Sequence, residues 1–179
     1  MKYLAAIGIA VGLFATPALA ALNVGDNAPS FDAKASLGGK QFDFSLKDAL
    51  SKGPVVLYFY PAAFTPGCTI EAHEFADATD EFKKLGATVI GVSADSIEKL
   101  DKFSVSECRS KFAVAADPDL KVIKAYDAGI GPNPKFANRI SYVIAPDSKI
   151  LYTYTDRNPE AHVKNTMQVV KDWEAKHAK

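Results

Sequence analysis

The sequence predicts an α/β sandwich with a mixed central sheet, and three observations lead to this class. Two apolar runs, 55–60 and 87–92, have the continuous character of strands that are buried on both faces. Between and after them lie segments whose apolar residues recur three and four positions apart, as in helices that cover a sheet. Near the C-terminus, the turn at 146–149 joins two further strands, which predicts an antiparallel hairpin beside the parallel strands.

The first twenty residues have the features of a secretory signal peptide. Lys2 supplies a positive start, 4–14 an apolar core, and 18–20 a small-residue cleavage site. We therefore expect residues 1–20 to be removed on export, most simply to a bacterial periplasm, so that the mature chain starts near Ala21. An uncleaved membrane anchor is the alternative, although the apolar stretch is short for a membrane span.

The remaining residues, 21–179, are expected to form one domain, with an N-terminal hairpin preceding the alternating strands and helices. The predicted strands are 31–34, 41–44, 55–60, 87–92, 112–116, 139–145 and 149–155. The predicted helices are 45–50, 68–85, one from a capping box at Asp95 to about Cys108, one from Asp117 to about Tyr126, and one after Asn158 and Pro159. Gly86 marks the end of the second helix.

Composition narrows the class of function. The chain has 48% hydrophobic residues, and its 21 basic and 21 acidic residues balance. No basic run or basic–aromatic pattern is present, so a nucleic-acid partner is not expected.

The segment 61–68, Pro-Ala-Ala-Phe-Thr-Pro-Gly-Cys, follows a predicted buried strand and opens a predicted helix. It places Cys68 at a helix N-terminus, where free N–H groups and the helix dipole favour a thiolate over a thiol. Thr65 carries a hydroxyl three residues upstream, and the prolines with Gly67 fix a tight turn. These features predict that Cys68 is a nucleophile.

Cys68 and Cys108 are the two cysteines of the chain. In an oxidising compartment an even count also suggests a structural disulfide. Closing a loop of roughly 40 residues would stabilise the fold by about 4 kcal/mol in the chain-entropy model. A purely structural disulfide therefore remains an alternative interpretation. Such a disulfide would not need the rigid proline turn and the nearby hydroxyl that accompany Cys68.

The spacing Pro61-x-x-x-Thr65-x-x-Cys68 between a strand and a helix is the signature of the peroxiredoxins, and the chain resembles them over essentially all of 21–179. The run 59–71 is most similar to the bacterioferritin-comigratory or Q-type branch of this AhpC-TSA family. Further matching segments follow in the expected order: Gly91-Val-Ser, Asp117-Pro, Arg139 before Ser141-Tyr-Val-Ile, Asp147-Ser-Lys-Ile and Pro159-Glu-Ala-His162. The resemblance implies a thioredoxin-like fold.

The resemblance also implies an activity, thiol-dependent reduction of hydrogen peroxide and organic hydroperoxides without a cofactor. In that scheme the Cys68 thiolate attacks the peroxide and becomes sulfenic acid. Thr65 binds the peroxide, Pro61 shields the pocket from water, and Arg139 stabilises the thiolate and the developing charge. Glu71 resembles a family position that supports this network.

One departure from the branch concerns the second cysteine. Many members carry a resolving cysteine five residues after the first, and here that position is His73. The resemblance then makes Cys108 the resolving cysteine, about one turn beyond the position expected for it. Three alternatives stay open: a one-cysteine enzyme reduced by an external thiol, a bridge between subunits, and a disulfide-stapled binding module without catalysis.

Other partners are less well specified by the sequence. We expect an exported thioredoxin-like protein or a small thiol as reductant, and a monomer rather than a dimer. His73 stands without a second ligand cluster, so no metal is expected. His162 and His177, on the last helix, are expected to face solvent or to make a polar contact.

Overall fold

The computed structural model describes residues 21–177, and the predicted signal peptide at 1–20 lies outside them. Seven strands form one mixed sheet in the order β2-β1-β5-β4-β3-β6-β7. Their bounds are β1 Asp32–Leu37, β2 Lys40–Ser45, β3 Val55–Phe59, β4 Thr88–Ser93, β5 Ala113–Ala116, β6 Ile140–Ile144 and β7 Ile150–Thr155. Only the pairs β3–β4 and β4–β5 are parallel, because helical crossovers connect these strands. The predicted α/β class with a mixed sheet is confirmed.

The N-terminal hairpin is not separate from this sheet. β1 pairs with β2 on one side and, antiparallel, with β5 on the other. The hairpin therefore extends the central sheet at one edge, while the β6–β7 hairpin extends it at the other.

Helices cover both faces of the sheet. Their bounds are α1 Leu46–Leu50, α2 Pro66–Lys84, α3 Ile97–Ser106, α4 Lys121–Ala125 and α5 Glu160–His177. Alternation along β3 divides the core in two: Val55, Leu57 and Phe59 pack with α1 and α4, whereas Val56 and Tyr58 pack with α2, α3 and α5. Both cysteines belong to the second cluster.

The long helix α2 begins and ends where the sequence predicts. Pro66 occupies its first turn, where a missing N–H costs no hydrogen bond. Phe75 and Phe82 are buried against the sheet. Gly86 follows the end of α2 with a φ of +72°, a left-handed conformation that glycine adopts without a side-chain clash.

Two helix starts differ from the prediction. The cap of α3 is Ser96, whose side chain accepts from the Lys99 N–H, because the Asp95 carboxylate is used elsewhere. Helix α4 begins only at Lys121, where Asp117 accepts from the backbone N–H groups of Lys121 and Ile123. A side chain that reaches forward can therefore cap a helix several residues after its own position.

The last helix follows the prediction closely. The Asn158 side chain accepts from the Glu160 N–H at 3.2 Å, and Met167 and Val170 are buried against the sheet. Among residues 21–177, none of the helices combines the length and the apolar character needed to cross a membrane.

Candidate active site

Cys68 lies in the first turn of α2, immediately after the turn that leaves β3. Its side chain is only 2% exposed, so the sulfur faces the protein rather than bulk solvent. Phe64, in the preceding turn, has a φ of +68°, an uncommon conformation for a non-glycine residue. The first N–H groups of a helix have no partners within the helix, and they favour an anion at this position.

Sheet pairing delivers Arg139 to this cysteine. β3 and β6 are antiparallel neighbours, and Phe59 at the end of β3 is paired with Ile140 at the start of β6. Arg139 therefore stands beside the turn that carries Cys68, although 71 residues separate the two in sequence. Its Nη2 donates to Cys68 Sγ at 3.5 Å, and the guanidinium is almost fully buried. This contact places the permanent positive charge of the guanidinium beside the sulfur.

Glu71 holds the other side of the guanidinium. One turn after Cys68 on α2, its carboxylate Oε2 accepts from Arg139 Nη1, and the side chain is completely buried. Arg139 Nε also donates to the carbonyl of Arg157 at 3.2 Å. Burial raises the pKa of Glu71 to about 8, against the opposing effect of Arg139. The guanidinium is thus oriented by one carboxyl group and one carbonyl.

Thr65 and Pro61 border the same turn. Thr65 is exposed, and its hydroxyl donates to the Ala62 carbonyl at 3.0 Å, while Pro61 is half-buried. The turn itself is anchored by Asp95, whose Oδ2 accepts from the Ala63 N–H at 2.7 Å. Sequence reasoning missed this role of Asp95 and assigned it to a helix cap.

Cys108 lies two residues beyond the end of α3 and is fully buried. Burial raises the pKa of its thiol, and the neighbouring Glu107 raises it further. The group is therefore a thiol, not a thiolate, at neutral pH in this conformation. Cys68 and Cys108 are both free.

His162 is the residue that sequence reasoning placed least well. Its side chain is completely buried, with Nδ1 2.8 Å from Ser141 Oγ and Nε2 3.0 Å from the Asp156 carbonyl oxygen. The expectation of a solvent-facing side chain is therefore wrong, and that of a polar contact is right. The signal was present, because Thr166 and Val170 follow at intervals of four on the same buried face of α5. His177, by contrast, is exposed and stacks on Trp173.

Across the described part of the chain, no group of three or more His, Cys, Asp and Glu side chains is arranged to hold a metal ion. The chemical resources of the site are one buried sulfur at a helix N-terminus, one guanidinium, one carboxyl group and one hydroxyl. This set can stabilise a thiolate and charge that develops on an adjacent oxygen.

The AhpC/TSA family matches residues 24–153 of this chain. The chain is similar to peroxiredoxin Bcp of Escherichia coli strain K12, with 35% identity over 162 residues that cover 88% of this chain and 98% of that protein. It is also 35% identical to the chloroplastic peroxiredoxin Q of Triticum aestivum over 149 residues, which cover 78% of this chain and 68% of that protein.

Solved structures give the same result for the fold. Peroxidoxin BcpB from Mycobacterium tuberculosis superposes with a TM-score of 0.75 at 31% identity and covers 83% of this chain and 96% of its own. A cysteine-to-serine variant of PrxQ from Xylella fastidiosa gives a TM-score of 0.74 at 26% identity, covering 89% and 99%. The predicted thioredoxin-like fold is confirmed as the fold of these peroxiredoxins.

Proposed function

Because this chain belongs to the AhpC/TSA family, as a peroxiredoxin of the Bcp and peroxiredoxin Q branch and hence a thiol peroxidase, we propose that Cys68 is its peroxidatic cysteine. The observation that carries this assignment is the contact of Arg139 Nη2 with Cys68 Sγ at 3.5 Å. The other cysteine, Cys108, is fully buried, and its pKa is raised by burial and by the neighbouring Glu107 carboxylate.

In the proposed reaction the Cys68 thiolate attacks the terminal oxygen of the peroxide. A sulfur–oxygen bond forms as the O–O bond breaks, and the departing oxygen takes a proton and leaves as water or an alcohol. The sulfur is oxidised by two electrons and becomes sulfenic acid. Arg139 stabilises the negative charge on sulfur and oxygen, Thr65 offers its hydroxyl to the peroxide, and Pro61 limits the access of water.

We assign the resolving step to Cys108. Its sulfur attacks the sulfenic acid, a disulfide forms and water leaves, after which a thiol reductant restores both cysteines. Because Cys108 is fully buried with a raised pKa, the segment around it has to open before this step. A one-cysteine cycle and a bridge between subunits remain the competing schemes, and the enzyme family weighs against the non-catalytic module.

We also propose that the enzyme is exported. If residues 1–20 are a signal peptide, the mature protein starts near Ala21 in the periplasm and takes its electrons from an exported thioredoxin-like protein or a small thiol, acting as a monomer. The mass of the protein recovered from the periplasmic fraction tests this: a chain beginning near Ala21 is expected. A full-length chain that stays in the cytoplasm would contradict it.

The assignment of Cys68 is tested by measuring peroxide consumption in the presence of dithiothreitol. This dithiol can reduce either oxidised form of the enzyme, the Cys68–Cys108 disulfide or the Cys68 sulfenic acid. Cys68→Ser is expected to abolish turnover. Cys108→Ser, the matched control, is expected to keep the first oxidation step, because the thiolate and Arg139 are untouched. Unchanged turnover in Cys68→Ser would remove the assignment.

A further inference from the structure

The carboxyl group of Glu71 is only half satisfied. Oε2 accepts from Arg139, but Oε1 is buried without a hydrogen-bond partner. A buried carboxylate oxygen without a donor is costly, so an orphan at the centre of an active site calls for an explanation.

The polar group that faces this oxygen is His162. Its Nδ1 lies 3.9 Å from Glu71 Oε1, and both side chains are fully buried. The Nε2 atom of His162 contacts a carbonyl oxygen, which can only accept, so Nε2 carries a hydrogen. The Nδ1 atom is therefore the position at which the ring can gain or lose a proton, and it faces both Ser141 Oγ and Glu71 Oε1.

His162 is also tied to Arg139 through the backbone. The imidazole holds the carbonyl of Asp156, and the next carbonyl, that of Arg157, accepts from Arg139 Nε. The guanidinium is thus bounded by Glu71 on one side and by the 156–157 turn on the other. His162 lies next to both of these groups, because its Nδ1 faces Glu71 and its Nε2 contacts the Asp156 carbonyl.

Charge balance favours one additional proton in the buried set formed by Cys68, Glu71, Arg139 and His162. With Cys68 as a thiolate and Glu71 as a carboxylate, two negative charges share the single positive charge of Arg139 in a buried site. An uncompensated buried charge is strongly disfavoured. One proton held between Glu71 Oε1 and His162 Nδ1 makes the buried set neutral and gives Oε1 a partner.

We propose that His162 is a positioning residue for the Cys68 thiolate: it shares one proton with the Glu71 carboxyl group and so keeps Arg139 available to the sulfur. When the Cys68 thiol loses its proton, the Glu71–His162 pair binds one, and the net charge of the buried site is unchanged. The proton belongs to the pair rather than to either residue. This inference rests on the proposed peroxidatic role of Cys68.

The surroundings agree with a single shared proton. Burial lowers the pKa of His162 against the opposing effect of its hydrogen bond to the Asp156 carbonyl, and Arg139 lowers it as well, whereas burial raises the pKa of Glu71. The pair therefore does not hold two protons at neutral pH. The other titratable or charged groups that face the pair are Arg139, Cys68, Tyr58, Glu74, Tyr154 and Asp156.

The first test is the pH dependence of the rate constant for peroxide reduction. When the pair loses its proton, Glu71 competes with the thiolate for Arg139, so the wild-type rate is expected to fall at alkaline pH. His162→Gln keeps an N–H for the Asp156 carbonyl but cannot share the proton. In this variant, the pH at which the rate constant falls on the alkaline side should be lower than in the wild type by about one pH unit or more. His177→Gln, on the exposed end of the same helix, should leave the profile unchanged.

A purely structural role predicts a different result: His162→Gln would then lower the rate by the same factor at every pH. An unchanged profile shape in a folded variant overturns the inference. If Cys68→Ser retains turnover, the assignment of Cys68 fails instead, so the two failures are distinguishable.

A second measurement avoids the risk that His162→Gln fails to fold. The ring nitrogens of the three histidines can be followed by ¹⁵N NMR in wild type and in Cys68→Ser. We expect His162 to respond to pH at the midpoint of the kinetic limb, and this midpoint should move to lower pH when the thiolate is removed. A His162 signal without pH response, or one identical in both proteins, overturns the proposal.

Discussion

His73 Nε2 lies 2.9 Å from Glu107 Oε2 and joins the helix that carries Cys68 to the residue immediately before Cys108. The position at which the sequence resemblance leads us to expect a local resolving cysteine is therefore occupied by a residue that links the two cysteine-bearing segments. In the resolving step that we propose, opening of the Cys108 segment breaks this contact.

The first prediction concerns this contact. His73→Ala should accelerate formation of the Cys68–Cys108 disulfide after peroxide addition a few-fold, because the Cys108 segment is held less firmly. Thiol labelling during a quenched time course measures the rate. His177→Ala serves as control, and an unchanged or slower rate in His73→Ala would contradict the prediction.

Two further ion pairs continue along the same face of α2. Asp77 pairs with Arg109 at 2.5 Å, and Asp80 pairs with Lys111 at 3.0 Å. All of these groups are substantially exposed, so each pair contributes little and is screened by salt. Together with the His73 contact, they fasten the 107–111 segment on both sides of Cys108.

We therefore predict that salt accelerates the disulfide step. Raising ionic strength from about 0.01 M to about 1 M shortens the Debye length from about 30 Å to about 3 Å and weakens these pairs. The double variant Asp77→Asn/Asp80→Asn should be faster at low salt and less sensitive to salt. Asp119→Asn, which removes the exposed pair with Lys121, is the matched control. Equal salt sensitivity of wild type and double variant would refute the role of the pairs.

We predict that Arg139 can approach Cys68 because residue 67 is a glycine and has no side chain. A Cβ at residue 67 would lie 3.0 Å from Arg139 Nη2, so Gly67→Ala should push the guanidinium away from Cys68. Arg139→Gln sets the upper limit, a loss of about 10² to 10³-fold in the peroxide rate, as for other preorganised donors. Stopped-flow kinetics of both variants provide the test. Full activity in Gly67→Ala beside an impaired Arg139→Gln would show that the close approach is unimportant.

Glu71 should make stability depend on pH. Burial raises the pKa of Glu71 from its ordinary value of 4.5 to about 8, so the folded state binds this proton more firmly than an unfolded chain does across that interval. The contribution of Glu71 to the free energy of unfolding is therefore present at low pH and falls as pH rises toward 8. Urea unfolding of wild type and Glu71→Gln should give a difference that shifts in favour of the variant between about pH 5 and about pH 8. Glu98→Gln, an exposed carboxylate, is the control; a constant difference would contradict the prediction.

The fold was predictable because it rests on local patterns. The continuous apolar runs of β3 and β4, the apolar spacing in α2, and the proline and glycine at its ends specify strand and helix within a few residues. The observed helix boundaries differ from the predicted ones where a side chain caps a helix that begins several residues later. Asp117, for example, accepts from the N–H of Lys121, four residues further along the chain, where α4 begins.

The site was predictable only in part. The turn around Cys68 is local, but the approach of Arg139 depends on the pairing of β3 with β6, which no local pattern specifies and which only the family resemblance implied. His162, Asp95 and the His73–Glu107 contact are likewise products of long-range packing. Their residue types alone do not distinguish these roles from an exposed or capping side chain.

The covalent state of the two cysteines after one turnover tests the proposed mechanism most directly. The reduced protein is treated with one equivalent of hydrogen peroxide, quenched, and mapped by mass spectrometry under non-reducing conditions. We predict a Cys68–Cys108 disulfide within one chain, and sulfenic acid at Cys68 in the Cys108→Ser variant. Oxidised Cys68 beside a free Cys108 in the wild type would contradict the resolving role, and unmodified Cys68 would contradict the whole mechanism.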